Sequence, residues 1–192
     1  PMYEATKGMT LRQLYHASPL GFVGSFAIGA AFAALFGMSS VYGTEVGFTL
    51  REIAIFVASI YIGGMLLQYP IGWLSDRMDR RRLIIIVTAI ACAACAGAIF
   101  VGDSFYVGLA MTFLIGGMIN PLYSLLIAHT NDYLEQEDMA AAAAGLVFVG
   151  GVGAIGGPVI VGQMMSYLGP WAFFLYILIT MGGVSLYGIW RM

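Results

Sequence analysis

The chain has 192 residues, of which 60% are hydrophobic and 9% are charged, and its mean hydropathy is +0.90. An ordinary soluble domain carries about 25% charged residues, so this composition excludes that class and predicts an integral membrane protein. The formal net charge of −2 says little about function, because the placement of charges matters more than their sum in a membrane protein.

The first eighteen residues are polar, and we predict that residues 1–18 form a cytoplasmic linker. This segment lacks the apolar core of a secretory signal peptide. Because the chain begins at Pro1 rather than at a methionine, we expect it to be a piece of a longer protein.

Residues 19–192 are predicted to form a bundle of six transmembrane helices. A helix needs about 20 apolar residues to cross a bilayer, and six segments meet that requirement. Backbone groups in lipid must pair within the protein, so the predicted fold class is an all-α membrane bundle. The predicted spans cover residues 20–42, 53–74, 83–101, 105–128, 139–165 and 171–190.

The basic residues predict an orientation in which both termini are cytoplasmic. Cytoplasmic joints of membrane proteins are enriched in lysine and arginine, and seven of the eight basic residues then fall inside. Only Arg51 falls outside. The seven predicted inner residues are Lys7, Arg12, Arg77, Arg80, Arg81, Arg82 and Arg191.

The joint between the second and third predicted spans concentrates charge, with six charged residues between Asp76 and Arg82. The stretch GWLSDRMDRR, residues 72–81, closely resembles motif A of the major facilitator superfamily, G-x-L-x-D-[RK]-x-G-[RK]-[RK]. Asp79 departs from the motif, because the family usually has glycine there at a tight turn. In the fifth span, Gly153, Gly157 and Pro158 are similar to the family's G-x-x-x-G-P element. The positions that match motif A are Gly72, Leu74, Asp76, Arg77, Arg80 and Arg81.

The resemblance covers all six spans and implies both a fold and a function. Facilitators consist of two six-helix halves in one chain of about twice this length, each half a 3+3 inverted repeat. We therefore expect this chain to be the C-terminal half of a secondary transporter in a bacterial inner membrane. Its expected partners are the lipid bilayer, the N-terminal six-helix half and a small organic solute. We expect no enzymatic activity, no cofactor and no nucleic-acid partner.

Cys92 and Cys95 form a C-x-x-C pair, a pattern that suggests metal or redox chemistry in a soluble protein. Here the pair lies inside the apolar third span, without a charged residue or histidine nearby. We therefore interpret the two cysteines as small buried residues and predict no metal site.

The family resemblance implies that the first and fourth spans line a central cavity. Asn120 is the most polar residue within any span and must find a partner in the membrane, either another helix or the cavity. Gln68, close to Pro70, carries the same two interpretations. The predicted cavity residues are Phe32, Phe36, Ser39, Ser40, Asn120, Tyr123 and Ser124.

Motif A and the acidic joint before the fifth span predict a cytoplasmic latch, meaning charged contacts that hold helices together in one state of a transport cycle. A helix N-terminus carries about half a positive charge, so Asp76 is expected to reach the start of the fifth span. Arg80 or Arg81 is expected to pair with an acid. The alternative is that the arginines only set topology. The latch residues are predicted to be Gly72, Asp76, Arg77, Arg80 and Arg81, with Asp132, Glu135, Glu137 and Asp138 as partners.

The fifth span is rich in alanine and glycine, which allow close helix packing in lipid. Gly153, Gly157 and Pro158 are predicted to serve packing, bending or both. The order Gly-Gly, Pro, Gly, Ser also recurs in the second span, as an inverted repeat predicts.

Three functional hypotheses remain at this point: half of a secondary transporter, a half-transporter that forms a homodimer, and a six-helix scaffold or sensor. No Asp, Glu, Lys or Arg stands in the central part of a predicted span. Coupling then depends on the other half, or transport is passive, or Glu45 at the outer end of the first span takes part.

Overall fold

The protein is described by a computed structural model covering residues 8–101 and 104–191, and every regular element in these ranges is α-helical. Six helices, α2–α7, are long and apolar enough to cross a membrane. The first seven residues of the predicted linker, with Lys7, lie outside the described residues. The helices are α1 (Leu11–Ala17), α2 (Pro19–Glu45), α3 (Leu50–Ser75), α4 (Arg80–Val101), α5 (Phe105–Asn131), α6 (Gln136–Leu168) and α7 (Ala172–Trp190).

The helices extend beyond the predicted apolar spans because polar residues near their ends continue or cap them. At the start of α3, the Thr49 hydroxyl accepts the Glu52 amide N–H at 3.3 Å, and the Glu52 carboxylate accepts the Thr49 N–H at 2.8 Å. This capping box satisfies two backbone donors and starts the helix three residues before the predicted span. Ser18 caps α2 with its hydroxyl alone, which accepts the Gly21 N–H at 3.2 Å.

The predicted linker contains a short helix, α1, which packs on α2 and α6. Thr10 and Gln13 form its capping box. Leu14 is only 1% exposed and packs with Ala142 and Leu146 of α6. The structure therefore shows a helix in a segment for which the polar composition predicted only a linker. The capping box and the packing of the buried Leu14 side chain on α6 stabilise it.

The packing of the six spans follows an internal exchange symmetry. The main pairs are α2 with α6, α3 with α5, and α4 with α7; α4 also packs on α5, and α2 on α7. Exchanging α2–α4 with α5–α7 in order interchanges α2·α6 with α3·α5 and α4·α5 with α2·α7, and it leaves α4·α7 unchanged. This is the relation expected of two three-helix units of inverted topology.

Glycines bring the paired helices into backbone contact. Gly153 and Gly157 of α6 are buried against the carbonyl groups of Phe26 and Ala30 in α2, where a Cβ atom would overlap. Gly63 of α3 lies in the same way against the carbonyl group of Phe113 in α5. The Gly-Gly pair that recurs in the second and fifth spans thus lies at corresponding helix crossings, with Gly63 on α5 and Gly157 on α2. Helix α6 runs through Pro158 without ending.

Aromatic residues close the end of the bundle opposite the motif. Tyr42, at the end of α2, stacks on Phe56 of α3 and on Phe173 of α7, with ring centroids 5.4 and 5.1 Å apart. All three side chains are buried. Such stacked pairs contribute about 0.5–1.5 kcal/mol each beyond their buried area, and they stabilise the packing of α2 on α3 and α7 at this end.

Candidate functional site

A groove of about 630 Å³ lies between α2, α5 and α6. It brings together five predicted cavity residues: Phe32 and Phe36 of α2, and Asn120, Tyr123 and Ser124 of α5. The phenylalanine rings stack, with centroids 5.1 Å apart, and form an apolar wall. The other lining residues are Ser25, Ile28, Gly29, Ala33, Val147, Gly150, Gly151 and Ala154.

Ser39 and Ser40 do not line this groove, and their role in a solute cavity stays a prediction. Phe32 and Phe36 share a helix face because they are four residues apart. Ser40 lies on that face but one turn further along, and it is exposed; its carbonyl accepts a hydrogen bond from Thr44 at 3.0 Å. Ser39 is turned inward and is 1% exposed.

Helix α6 supplies a wall of the groove, whereas the sequence analysis assigned this span to packing, bending or both. Val147, Gly151 and Ala154 recur at spacings of four and three residues, so they share one face of the helix. This spacing could have indicated a lining face of the fifth span. It did not stand out in the sequence, because small residues occur on every face of that span.

Asn120 both lines the groove and bonds to another helix. Its Nδ2 donates to Oε1 of Gln68 in α3 at 3.3 Å. It also borders a neighbouring cavity of about 290 Å³, together with Phe32, Phe36 and Tyr61. Gly64 makes room for the amide, since a Cβ atom there would lie 3.0 Å from Nδ2. The amide therefore bonds to another helix and also borders the groove, and its contact with a solute stays a prediction.

Two groove residues carry buried hydroxyl groups that lack a hydrogen-bond partner among the described residues. They are Ser25 of α2 and Tyr123 of α5. Leaving a buried polar group unpaired costs about 1–3 kcal/mol, so such groups call for an explanation. In this protein both lie beside the same groove.

The groove continues toward the motif. Ser124 also lines a further cavity of about 320 Å³, which Asp76, Arg80, Gly72 and Gln68 border as well. The charged end of α3 and the start of α4 therefore flank one end of the groove region. Sequence spacing alone did not connect the motif with the predicted cavity.

One predicted latch contact is present: Arg80, at the start of α4, forms an ion pair with Asp132 at the end of α5. Their side chains are 29% and 44% exposed. In the described parts of the chain, no ion pair involves the other predicted acids. Glu135 and Glu137 are exposed and Asp138 is half-buried at the start of α6.

Arg77 and Arg81, two other residues of the motif, make contacts that the sequence did not indicate. Arg77 folds back on its own helix, donating to the Trp73 carbonyl at 3.0 Å and stacking over the Trp73 ring. Arg81 donates from Nε and Nη2 to the carbonyl of Gly188 in α7, at 3.2 and 2.9 Å. It therefore caps a helix end rather than pairing with an acid.

Asp76 does not dock on α6, because α3 packs mainly on α5 whereas α6 packs mainly on α2. It is the C-cap residue of α3, and its side chain is exposed. Among residues 8–101 and 104–191, its carboxylate makes no hydrogen bond and no ion pair. The predicted contact with the start of the fifth span is therefore not formed in this structure, and its role in a latch stays a prediction.

Asp79, which replaces the usual glycine of the motif, caps α4. Its Oδ1 accepts the Arg82 N–H at 2.9 Å. No non-glycine residue in the described ranges has a positive φ, so the turn forms without left-handed backbone at Asp79. The cap compensates for the lost glycine by satisfying a free donor of the first helical turn.

Cys92 and Cys95 are free thiols inside α4. Within the part of the chain that the structure describes, no group of three or more His, Cys, Asp or Glu residues is arranged to hold a metal ion.

Comparison with known proteins gives a family match over nearly the whole chain. The model of the Major Facilitator Superfamily matches residues 21–192. An uncharacterized MFS-type transporter of Bacillus subtilis, YfkF, is 30% identical over 191 residues, covering 96% of this chain and 48% of the relative. The multidrug transporter MdfA of Yersinia pestis is 28% identical over 129 residues, covering 67% of this chain and 31% of the relative.

Solved structures share the fold. The E. coli fucose:proton symporter FucP superposes with a TM-score of 0.81 at 15% identity, over 100% of this chain and 48% of that chain. A peptide transporter of the POT family superposes with a TM-score of 0.75 at 19% identity, over 92% of this chain and 37% of that chain. The chain spans about half the length of the Bacillus relative and of FucP, and about a third of the length of MdfA.

Proposed function

The chain belongs to the Major Facilitator Superfamily and is a multi-pass membrane protein; from this premise we propose that it is the C-terminal half of a secondary transporter in a bacterial inner membrane. The whole transporter moves a small organic solute by alternating access, in which two bundles rock about a central site. The other half is a second six-helix bundle. Both termini of this chain face the cytoplasm.

The observation that carries the proposal is the groove between α2, α5 and α6. It combines stacked phenylalanine rings with the Asn120 amide and with the unpaired hydroxyls of Ser25 and Tyr123. Apolar walls with a few polar groups are typical of small-molecule sites. No charged side chain of the described residues lines it. We infer that this half contacts the uncharged part of the solute through ring contacts and hydrogen bonds.

The half-transporter assignment is supported by length and symmetry. The chain covers 48% of its Bacillus relative, and its helices already form a complete 3+3 packing unit. A second unit of this kind would close the groove from the side that α2, α5 and α6 leave open. The names of the relatives include a multidrug transporter and a sugar:proton symporter, which supports transport without selecting a solute.

Transport assays on the full-length protein in liposomes, with a panel of neutral and amphipathic solutes, test this proposal. Once a solute is found, Asn120→Leu should reduce kcat/KM at least about tenfold, because an interaction with the solute contributes about 1.4 kcal/mol or more. Ser40→Ala, on the same face of α2 but beyond the groove, is the matched control. Equal effects of the two substitutions would exclude the groove as the binding site.

The 192-residue chain by itself should show no saturable flux, because one bundle leaves the groove open. Saturable flux without a second half would favour the homodimer instead. Absence of transport by the full-length protein across a broad panel, with the fold intact, would favour a scaffold or sensor.

The orientation is tested by cysteine labelling. In a background lacking Cys92 and Cys95, a cysteine at Gln136 should be protected from an impermeant reagent in intact cells, and one at Thr49 should react. The reverse pattern would invert the proposed topology.

A further inference from the structure

A separate pocket of about 290 Å³ lies on the motif side of the bundle, away from the groove. Four distant parts of the chain form it: the α1–α2 junction, the start of α4, the end of α5 and the end of α7. Its lining includes two arginines and two histidines, Arg81, Arg191, His16 and His129. Among the described residues, no aspartate or glutamate lines it.

Arg81 is held in place while most of its donors stay available. Its Nε and Nη2 both donate to the Gly188 carbonyl, which fixes the guanidinium plane. A guanidinium carries five N–H donors, so three remain for a ligand. In residues 8–101 and 104–191, neither Arg81 nor Arg191 forms an ion pair with a carboxylate; the single ion pair there is Arg80 with Asp132.

His129 is a buried polar side chain without a hydrogen-bond partner. It is 6% exposed and lines the pocket, yet neither ring nitrogen forms a hydrogen bond within the described residues. Its ring meets Tyr133 edge-on, at 5.2 Å between centroids. Two acids of the neighbouring segments already have other contacts: Asp79 caps α4 and Asp132 pairs with Arg80. The imidazole therefore borders the pocket with both ring nitrogens available to a ligand.

The start of α2 adds to the positive potential of the pocket. Ser18, Pro19 and Leu20 line it, and α2 is 27 residues long. The N-terminus of a helix carries a partial positive charge and favours anions. Apart from His16 and Ala17 of α1, the lining residues lie at or beside the ends of helices long enough to cross a membrane, and on that ground we place the pocket at the level of lipid headgroups.

We propose that this pocket binds a phosphate group, supplied either by an anionic phospholipid headgroup or by a soluble phosphate. Arginine, histidine and a helix N-terminus together are suited to phosphate oxygens. Basic pockets between membrane helices at the headgroup level bind such groups. The inference does not depend on transport, because it concerns a pocket separate from the groove.

The test measures binding to the full-length protein in neutral detergent by isothermal titration calorimetry. The two probes are dioctanoyl phosphatidylglycerol and inorganic phosphate. Arg191→Gln and Arg81→Gln each remove a cation from the pocket, whereas Arg82→Gln removes a neighbouring, exposed cation that does not line it. We expect Kd to rise about tenfold in the first two variants and less than about twofold in the third, since one charge-assisted hydrogen bond is lost.

Binding of the lipid alone would identify a headgroup site, and binding of both probes would identify a site for soluble phosphate. Either result supports the proposal if the variants rank as expected. No saturable binding of either probe, or an equal loss in Arg82→Gln, would overturn it. Because Arg191 is exposed, its substitution leaves the packed helices intact and decides the question if Arg81→Gln fails to fold.

Discussion

The crossing of α2 and α6 predicts that two Gly→Ala substitutions on one helix change stability in opposite directions. At Gly157, a Cβ atom would lie 3.2 Å from the backbone C and Cα of Ala30 and closer still to its carbonyl oxygen. Backbone cannot rotate away as a side chain does, so the helices must separate. At Gly151, six residues earlier on α6, no atom lies within 4 Å of the added Cβ.

The magnitudes follow from these two environments. Overpacking costs about 1–3 kcal/mol, and replacing a helical glycine by alanine gains about 0.5–1 kcal/mol. Gly157→Ala should therefore lower the free energy of unfolding by about 1–2 kcal/mol. Gly151→Ala should raise it by about 0.5–1 kcal/mol. About 1 kcal/mol shifts the Tm of a domain of 150–250 residues by roughly 2–4 °C, and the shift should be smaller in a full-length protein of about twice this size.

Thermal unfolding of the full-length protein in detergent, followed by circular dichroism, measures both shifts under identical conditions. Gly157→Ala should melt below the unsubstituted protein and Gly151→Ala above it. If Gly157→Ala were neutral or stabilising, the two helices would not be in backbone contact at this crossing. The interpretation that the recurring Gly-Gly pair serves close helix packing would then be refuted.

Three further predictions concern polar contacts, and all are measured as changes in thermal unfolding. In a double-mutant cycle, Arg80→Gln and Asp132→Asn should couple by about 0.2–1 kcal/mol, as partly exposed ion pairs do; strict additivity would mean that the pair stabilises nothing. Asp79→Ala should cost about 1 kcal/mol through loss of the α4 cap, while Asp79→Asn keeps an acceptor and should cost less than half as much; equal losses would assign the effect to charge. Gln68→Leu should lower the free energy of unfolding by about 1 kcal/mol, because it leaves the Asn120 amide unpaired. Adding Asn120→Leu should restore most of that free energy, and a further decrease would contradict this pairing.

The sequence determined the features that depend on neighbours along the chain. Length and hydropathy located six spans, since crossing a bilayer requires about 20 apolar residues whatever the fold. The spacing within GWLSDRMDRR identified the family before any contact was known. A helix face also follows from spacing alone, which placed Phe32 with Phe36 and Asn120 with Tyr123. That the two faces share a solute cavity was implied by the family resemblance and stays a prediction.

Spacing could not show where a helix face stops being part of the site. Ser40 continues the face of Phe36, yet the groove ends before it. The wall supplied by α6 was also missed, because glycine and alanine suit both packing and cavity lining. Which interpretation applies at Gly151 and Gly157 depends on how far away α2 lies at each position.

The partners of the charged residues were likewise decided only by the tertiary structure. Four arginines and several acids offered many pairings of similar Coulomb energy, and the sequence had no means of ranking them. The fold brings the start of α4 beside the ends of α5 and α7, so Arg80 meets Asp132 and Arg81 meets the Gly188 carbonyl. It also leaves Asp76 on α3, away from the start of α6. Contacts between helices distant in the chain depend on crossing geometry, which local sequence patterns do not encode.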